Sequence, residues 1–81
     1  MTIKAPVEWV KGFTEGFLKN AQGNYDTQDA QYASETYFED EYDESQQTSM
    51  SCFSASELYS KGFTAGKNEV TKWLSEDEKE G

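Results

Sequence analysis

Arginine and histidine are missing from this 81-residue chain altogether, and cysteine and proline occur once each. Without histidine or arginine, the usual general base, the imidazole metal ligand and the bidentate phosphate clamp are all absent. A single cysteine, Cys52, rules out a disulfide within the chain and suits a reducing compartment. It has no histidine or nearby basic residue to lower its pKa, so it reads as a small buried apolar residue or an incidental thiol rather than a nucleophile. No apolar run reaches the length of a signal peptide core or a membrane span. Aliphatic residues are scarce as well. Leu, Ile, Val and Phe together make twelve residues, about 15%, a level that accompanies disorder when net charge is high. These gaps point to a cytoplasmic protein with no cofactor, no metal and no enzymatic activity.

What the chain has instead is one-sided charge. Its formal net charge is -9, and the surplus lies between Lys19 and Lys61. That interval holds Asp26, Asp29, Glu35, Glu39, Asp40, Glu41, Asp43, Glu44 and Glu57 and no basic residue. Outside it, seven lysines balance seven acids. Net charge governs solubility and partner choice rather than fold. Twelve aromatics compensate for the missing aliphatics, since each can bury roughly 150–250 Å². The reading is one small aromatic-cored domain, residues 1–81. A chain this short buries only about 60% of its unfolded surface, so self-association or a partner is expected to complete it.

A short repeat organises the two ends. Trp9-Val10-Lys11-Gly12-Phe13-Thr14-Glu15-Gly16 recurs as Tyr59-Ser60-Lys61-Gly62-Phe63-Thr64-Ala65-Gly66. Both copies fall in helical patterns. Pro6 suits a first turn, Trp9, Phe13 and Phe17 form a stripe at i, i+4, i+8, and Gly23 is a stop, giving a helix over 6–21. Ser54 and Glu57 form a capping box, with the serine meeting the N3 amide while the glutamate reaches back. Phe63, Gly66, Val70, Trp73 and Leu74 follow it, giving a helix over 54–75 and a charged tail over 76–81. Glycine inside a helix costs about 1 kcal/mol relative to alanine. Gly12, Gly16, Gly62 and Gly66 therefore need a reason: either they end or kink short helices, or they let two helices pack closely, with Phe13 and Phe63 on neighbouring faces. Close packing through Trp9, Gly12, Phe13, Gly16, Gly62, Phe63, Gly66 and Trp73 is the preferred reading.

The middle divides less clearly. Asp26 or Thr27 caps a helix running to about Asp43, opposed by like-charge pairs at i, i+4 (Glu35/Glu39, Glu39/Asp43, Asp40/Glu44), so residues 26–43 read as an acidic helix or a partly ordered arm. Residues 45–53 are polar and aperiodic, and read as a loop. The fold class is all-α: a small bundle of two to three helices with Gly/aromatic packing and an acidic middle segment.

Two kinds of ligand can be weighed. Asn24, Asp26, Gln28 and Glu35 fall at the first, third, fifth and twelfth places of a calcium loop, but Asp29 stands where that loop turns on glycine. Nucleic acid is disfavoured by sign, because binding phosphate rests on lysine and arginine. A basic protein surface fits better. Eight acids between Asp26 and Glu44 would span about 28 Å as a helix. That is one charge per ~3.5 Å, close to the ~3.4 Å spacing of phosphates along one DNA strand. Glu35, Glu39, Asp40, Glu41, Asp43 and Glu44 are the candidate electrostatic contacts, with Tyr37, Phe38 and Tyr42 as apolar anchors.

In its length, its arginine-free acidic composition and this Glu35–Glu44 cluster with interleaved tyrosines, the chain resembles the small acidic inhibitors encoded by phages, the anti-restriction and anti-CRISPR proteins, some of them DNA mimics. The resemblance is one of class. It implies a blocker that occupies the basic groove of a nucleic-acid-handling protein, without touching nucleic acid or membrane itself. The rival expectation is a structural or adaptor protein that self-associates through its Gly/aromatic helices, the acids serving only solubility.

Overall fold

The computed structural model describes residues 4–80, with side chains to Glu76. The protein is all-α. Among the described residues four α-helices follow one another, where two to three were expected: α1 (Val7–Lys19), α2 (Thr27–Glu41), α3 (Glu44–Ser49) and α4 (Ala55–Glu80), with a 3₁₀ turn, Met50–Cys52, between α3 and α4. The outer helices fall close to where the periodicity sets them. Two expectations need correction. Residues 45–53 are no loop, because Asp43 caps α3: its carboxylate accepts from Gln46 N (2.8 Å) and the Gln46 side chain accepts from Asp43 N (3.0 Å). An acid followed three residues later by glutamine is a helix start even in a polar, aperiodic stretch. Nor do residues 76–80 leave the helix. They contain no breaker, and α4 runs through them.

Helix α1 packs chiefly on α4, and the four glycines set how. A Cβ built on Gly12 would lie 2.0 Å from the Tyr59 carbonyl oxygen, and one on Gly62 would lie 2.0 Å from that of Trp9. Gly16 meets the Phe63 carbonyl oxygen at 2.3 Å and Gly66 that of Phe13 at 2.1 Å in the same sense. Numbers rise together along both helices, so α1 and α4 are parallel. Shifting each partner by fifty residues turns every one of these contacts into another. The repeat is therefore a local two-fold axis running along the helix pair. Each glycine aims a Cα hydrogen at a carbonyl across the seam, the geometry of weak Cα–H···O bonds. Equivalent side chains must leave such a seam on opposite sides. The expected adjacency of Phe13 and Phe63 therefore holds for their backbones and not for their rings.

The Phe13 side is the core. Helix α2 runs antiparallel to α1 and covers it, Tyr25 meeting Phe17 (ring centroids 5.7 Å apart), Tyr37 meeting Phe13 (5.6 Å) and Phe38 meeting Trp9 (5.4 Å). Trp73 of α4 closes the far end edge-on against Phe17 at 5.1 Å and Tyr25 at 5.2 Å. Small residues Ala30, Ala33 and Ser34 let α2 lie close. The turn between α1 and α2 uses left-handed backbone at Gln22 (φ 56°) and Gly23 (φ 78°), and Asp26 then caps α2 in a reciprocal pair with Asp29. At the other end, buried Gln47 of α3 donates to the carbonyls of Tyr42 (2.9 Å) and Phe38 (3.4 Å), satisfying acceptors that the last turn of α2 leaves open. Ser54 accepts from Glu57 N as expected, while the Glu57 carboxylate takes the Ser54 hydroxyl rather than its backbone amide.

Alanine at Gly12 or Gly62 would drive a methyl group into backbone that no rotamer change can move. Such overpacking costs about 3 kcal/mol or more, well above the ~1 kcal/mol gained in helix propensity. Denaturant titration should show G12A and G62A near or past the limit of folding. G23A, facing open space but at positive φ, should lose only about 1 kcal/mol.

Candidate functional site

The acidic residues ride on a helix held from beneath. Ala30, Ala33, Ser34 and Phe38 are buried against α1, while Glu35, Glu39, Asp40, Glu41, Asp43 and Glu44 are all exposed. They do not form one row. Glu35 and Glu39 share the outer face of α2 with Tyr32, at i, i+3 and i+7. Asp40 and Glu41 border a shallow crevice of about 100 Å³ shared with Glu69, Lys72 and Trp73 of α4. Asp43 and Glu44 belong to the start of α3, where the Asp43 carboxylate already serves as cap.

Two expectations about this segment change. The helix stops at Glu41 and the backbone is extended at Tyr42, so no nineteen-residue helix exists. Stopping there removes the like-charge pairs Glu39/Asp43 and Asp40/Glu44 from any helix, leaving Glu35/Glu39. Five acids over a fifteen-residue helix amount to one per ~4.5 Å of axis, looser than phosphate spacing. The anchors also move. Phe38 is 1% exposed, with its ring against Trp9, and Tyr37 and Tyr42 are half-buried beside the same indole at 6.0 Å. These three rings hold α2 to the body of the protein. The outward aromatic is Tyr32, 66% exposed. The signal available in the sequence is its spacing of i, i+3 and i+7 with Glu35 and Glu39, on the side of the helix away from the small residues Ala30 and Ala33.

The last turn of α2 holds Glu39, Asp40 and Glu41 and no basic residue. Carbonyl ends of helices carry partial negative charge, so carboxylates there are unfavourable by about 0.3–1 kcal/mol each when exposed. That is the opposite of α1, which carries Glu8 in its first turn and Lys19 in its last.

The calcium-loop candidates are not arranged as a loop. Gln28 and Glu35 are helical, and Asp26 and Asp29 are engaged with each other's amides. Among the described residues no group of three or more His, Cys, Asp or Glu could hold a metal ion, and no helix is long and apolar enough to cross a membrane. Cys52 is exposed on the 3₁₀ turn, so the buried reading of it is set aside. The glycine faces that the adaptor reading needs are buried within the chain, between α1 and α4.

Several titratable groups are tied to the packing. Glu15 accepts a hydrogen bond from the Tyr59 hydroxyl across the α1–α4 seam and pairs with Lys19 at 3.2 Å. Tyr59, and then Lys19, hold the Glu15 carboxyl below its ordinary value of 4.5. The same bond raises the Tyr59 hydroxyl. Burial raises Tyr37 and Tyr42 above 10.0; at Tyr42 the nearby Trp9 indole N–H partly offsets this. That N–H is nonetheless buried without a partner in hydrogen-bond geometry.

No family model, curated protein or solved structure matches this chain.

The tyrosine shifts fix how the fold answers to alkali. A folded-state pKa above the unfolded value of about 10 means stability that is intact below pH 10 and lost as pH rises through the folded values. Tyrosinate absorbance should therefore show Tyr37, Tyr42 and Tyr59 ionising late, together with the loss of helical circular dichroism. Y59F should remove one late-titrating group and, in carboxyl NMR, return Glu15 toward 4.5.

Proposed function

We propose that this protein is a small binding inhibitor that presents the acidic edge of α2 and the start of α3 to a positively charged groove of a nucleic-acid-handling protein. The observation that carries this reading is the placement of Glu39, Asp40 and Glu41 at the negative end of α2. Carboxylates there lower the stability of a small domain that has little to spare, and an exposed helix end accepts lysine or glutamine as readily. A requirement outside the fold accounts for the cost. The segment is also held in shape: its apolar side is pinned to α1 and its charges point outward, so little ordering entropy is lost on docking. Electrostatic steering supplies the rate of encounter, and Tyr32 supplies flat contact area beside Glu35 and Glu39. Phage-type inhibition of a restriction, CRISPR or host nucleic-acid enzyme is the role that matches such an edge. A carboxylate spacing looser than that of phosphates places the emphasis on sign of charge rather than on a replica of the duplex.

The experiment is a retention assay with the protein immobilised and a nuclease-treated bacterial lysate applied at low salt. Proteins that are retained, released by added duplex DNA and released by salt support the reading. The triple reversal E39K/D40K/E41K should reduce their affinity roughly ten-fold or more, a loss of about 1.4 kcal/mol or greater, while raising the melting temperature because it relieves the helix end. Retention that ignores both DNA and the triple reversal would refute the proposal.

A further inference from the structure

Helix α1 carries charge on one side only, that of Glu8, Lys11, Glu15 and Lys19, and is apolar, glycine or Thr14 over the rest, more than its two internal partners cover. Trp9, Phe13 and Phe17 face α2, and Gly12 and Gly16 face α4. Its third side is the strip Val7, Val10, Thr14 and Leu18, where Val7 is 64% exposed and the other three are half-buried. This strip floors an open groove of about 820 Å³. One wall is α2, with Gln31, Ser34 and Glu35. The other is the row Lys11, Glu15 and Lys19, at i, i+4 and i+8, backed by Tyr59 of α4.

We propose that this groove is the interface of a homodimer, in which the α1 strip of one copy lies on the α1 strip of a second. Charge complementarity picks both the occupant and its direction. The groove brings Lys4, Lys11 and Lys19 together with Glu15 and Glu35, so two copies meet there without stacking the carboxylate surplus that each carries elsewhere. The walls differ in sign, Lys11, Glu15 and Lys19 on one side and Glu35 on the other, and the intrahelical pairs Lys11–Glu8 (3.7 Å) and Lys19–Glu15 (3.2 Å) are exposed and therefore weak enough to exchange partners. A two-fold axis along the helices sets the lysine wall of each copy against the α2 wall of its partner, so that Lys11 faces Glu35 twice. A two-fold axis across the helices would set lysine against lysine. The dimer is therefore parallel, repeating between chains the relation that α1 and α4 have within one. Such an interface is isologous and closes on itself, and it uses Glu35 at the border of the outer face of α2 while leaving Tyr32, Glu39, Asp40 and Glu41 free.

Sedimentation equilibrium of the full chain over a wide concentration range tests this. The expected result is a species of twice the 9.2 kDa chain mass that persists at high salt, because apolar contact survives screening and the repulsion between copies does not. V7K, at an exposed position, should yield monomer with unchanged helical circular dichroism. K11E should weaken the dimer roughly ten-fold or more, and K11E/E35K should restore it, since the reversed pair meets again across the axis. A 9.2 kDa species at every concentration, a dimer indifferent to V7K, a dimer dissolved by salt, or no recovery in the double variant would each overturn the proposal. So would a stoichiometric complex with a different protein in place of the dimer. Neither V7K nor K11E touches the acidic edge, so both should keep salt-sensitive retention in the lysate assay. Failure here and failure of the acidic-edge reading are thus read separately.

Discussion

Two helix backbones touching through four glycines is the contact on which the rest of this structure depends. Ordinary helix pairs keep their axes 8–10 Å apart because side chains stand between them. Here the carbonyls of Tyr59, Phe63, Trp9 and Phe13 occupy the space that methyl groups would fill. The gain is dispersion along a continuous seam and a set of weak Cα–H···O bonds. The cost is four glycines in helix interiors, about 1 kcal/mol each. With so few aliphatic side chains available, backbone approach is how this sequence obtains a dense contact at all. Once α1 and α4 are joined, their side chains are forced outward, and the aromatic residues of α1 become a surface that must be covered.

Covering that surface is the work of α2, and it explains the aromatic content. Trp9 collects Phe13, Tyr37, Phe38 and Tyr42 around itself at 5.2–6.0 Å. Phe17, Tyr25 and Trp73 repeat the arrangement at the other end. Tilted and edge-on rings at these separations add to plain area burial. The pseudo-symmetry of the seam stops there. Where α1 has Trp9, Phe13 and Phe17, α4 has Tyr59, Phe63 and Lys67, and Tyr59 and Phe63 pair with each other. The internal repeat is one of contact, and only one of its two faces became a core. Because α2 is fastened by its rings and small residues and by Gln47 at its end, its outer side takes no part in that packing, which is why a dense acidic face can be carried there.

Much of this was legible in the chain. The Lys-Gly-Phe-Thr repeat and the unexplained cost of helical glycine pointed to the α1–α4 seam, and the apolar stripe of α1 gave its buried side. Parallel orientation was not legible, since periodicity says which side of a helix is apolar and not which way its partner runs. Helix α3 was masked by composition: Ser, Gln and Thr suggest a loop, and only the Asp43–Gln46 cap and the use of Gln47 to satisfy the end of α2 make it a helix. The acidic segment gave the sharpest mixed outcome. Its charges point outward, but Tyr37, Phe38 and Tyr42, offered as partner anchors because they are interleaved with acids, pack around Trp9 instead. On a helix, neighbours in sequence point in different directions. Glu39 and Phe38 are adjacent in the chain but about 100° apart around α2, so one is exposed and the other buried.

The parallel seam has a consequence for how the molecule comes together. Helical proteins usually gather their main contacts from neighbours in the chain, by hairpins that close early. Here the densest contact joins segments fifty residues apart in sequence, and the chain must travel out along α2 and turn through α3 before α4 can lie beside α1. Closing so long a loop precedes any reward from the glycine seam. Acquisition of the native state is therefore paced by topology more than by helix formation, and is slow for an all-helical chain of this size.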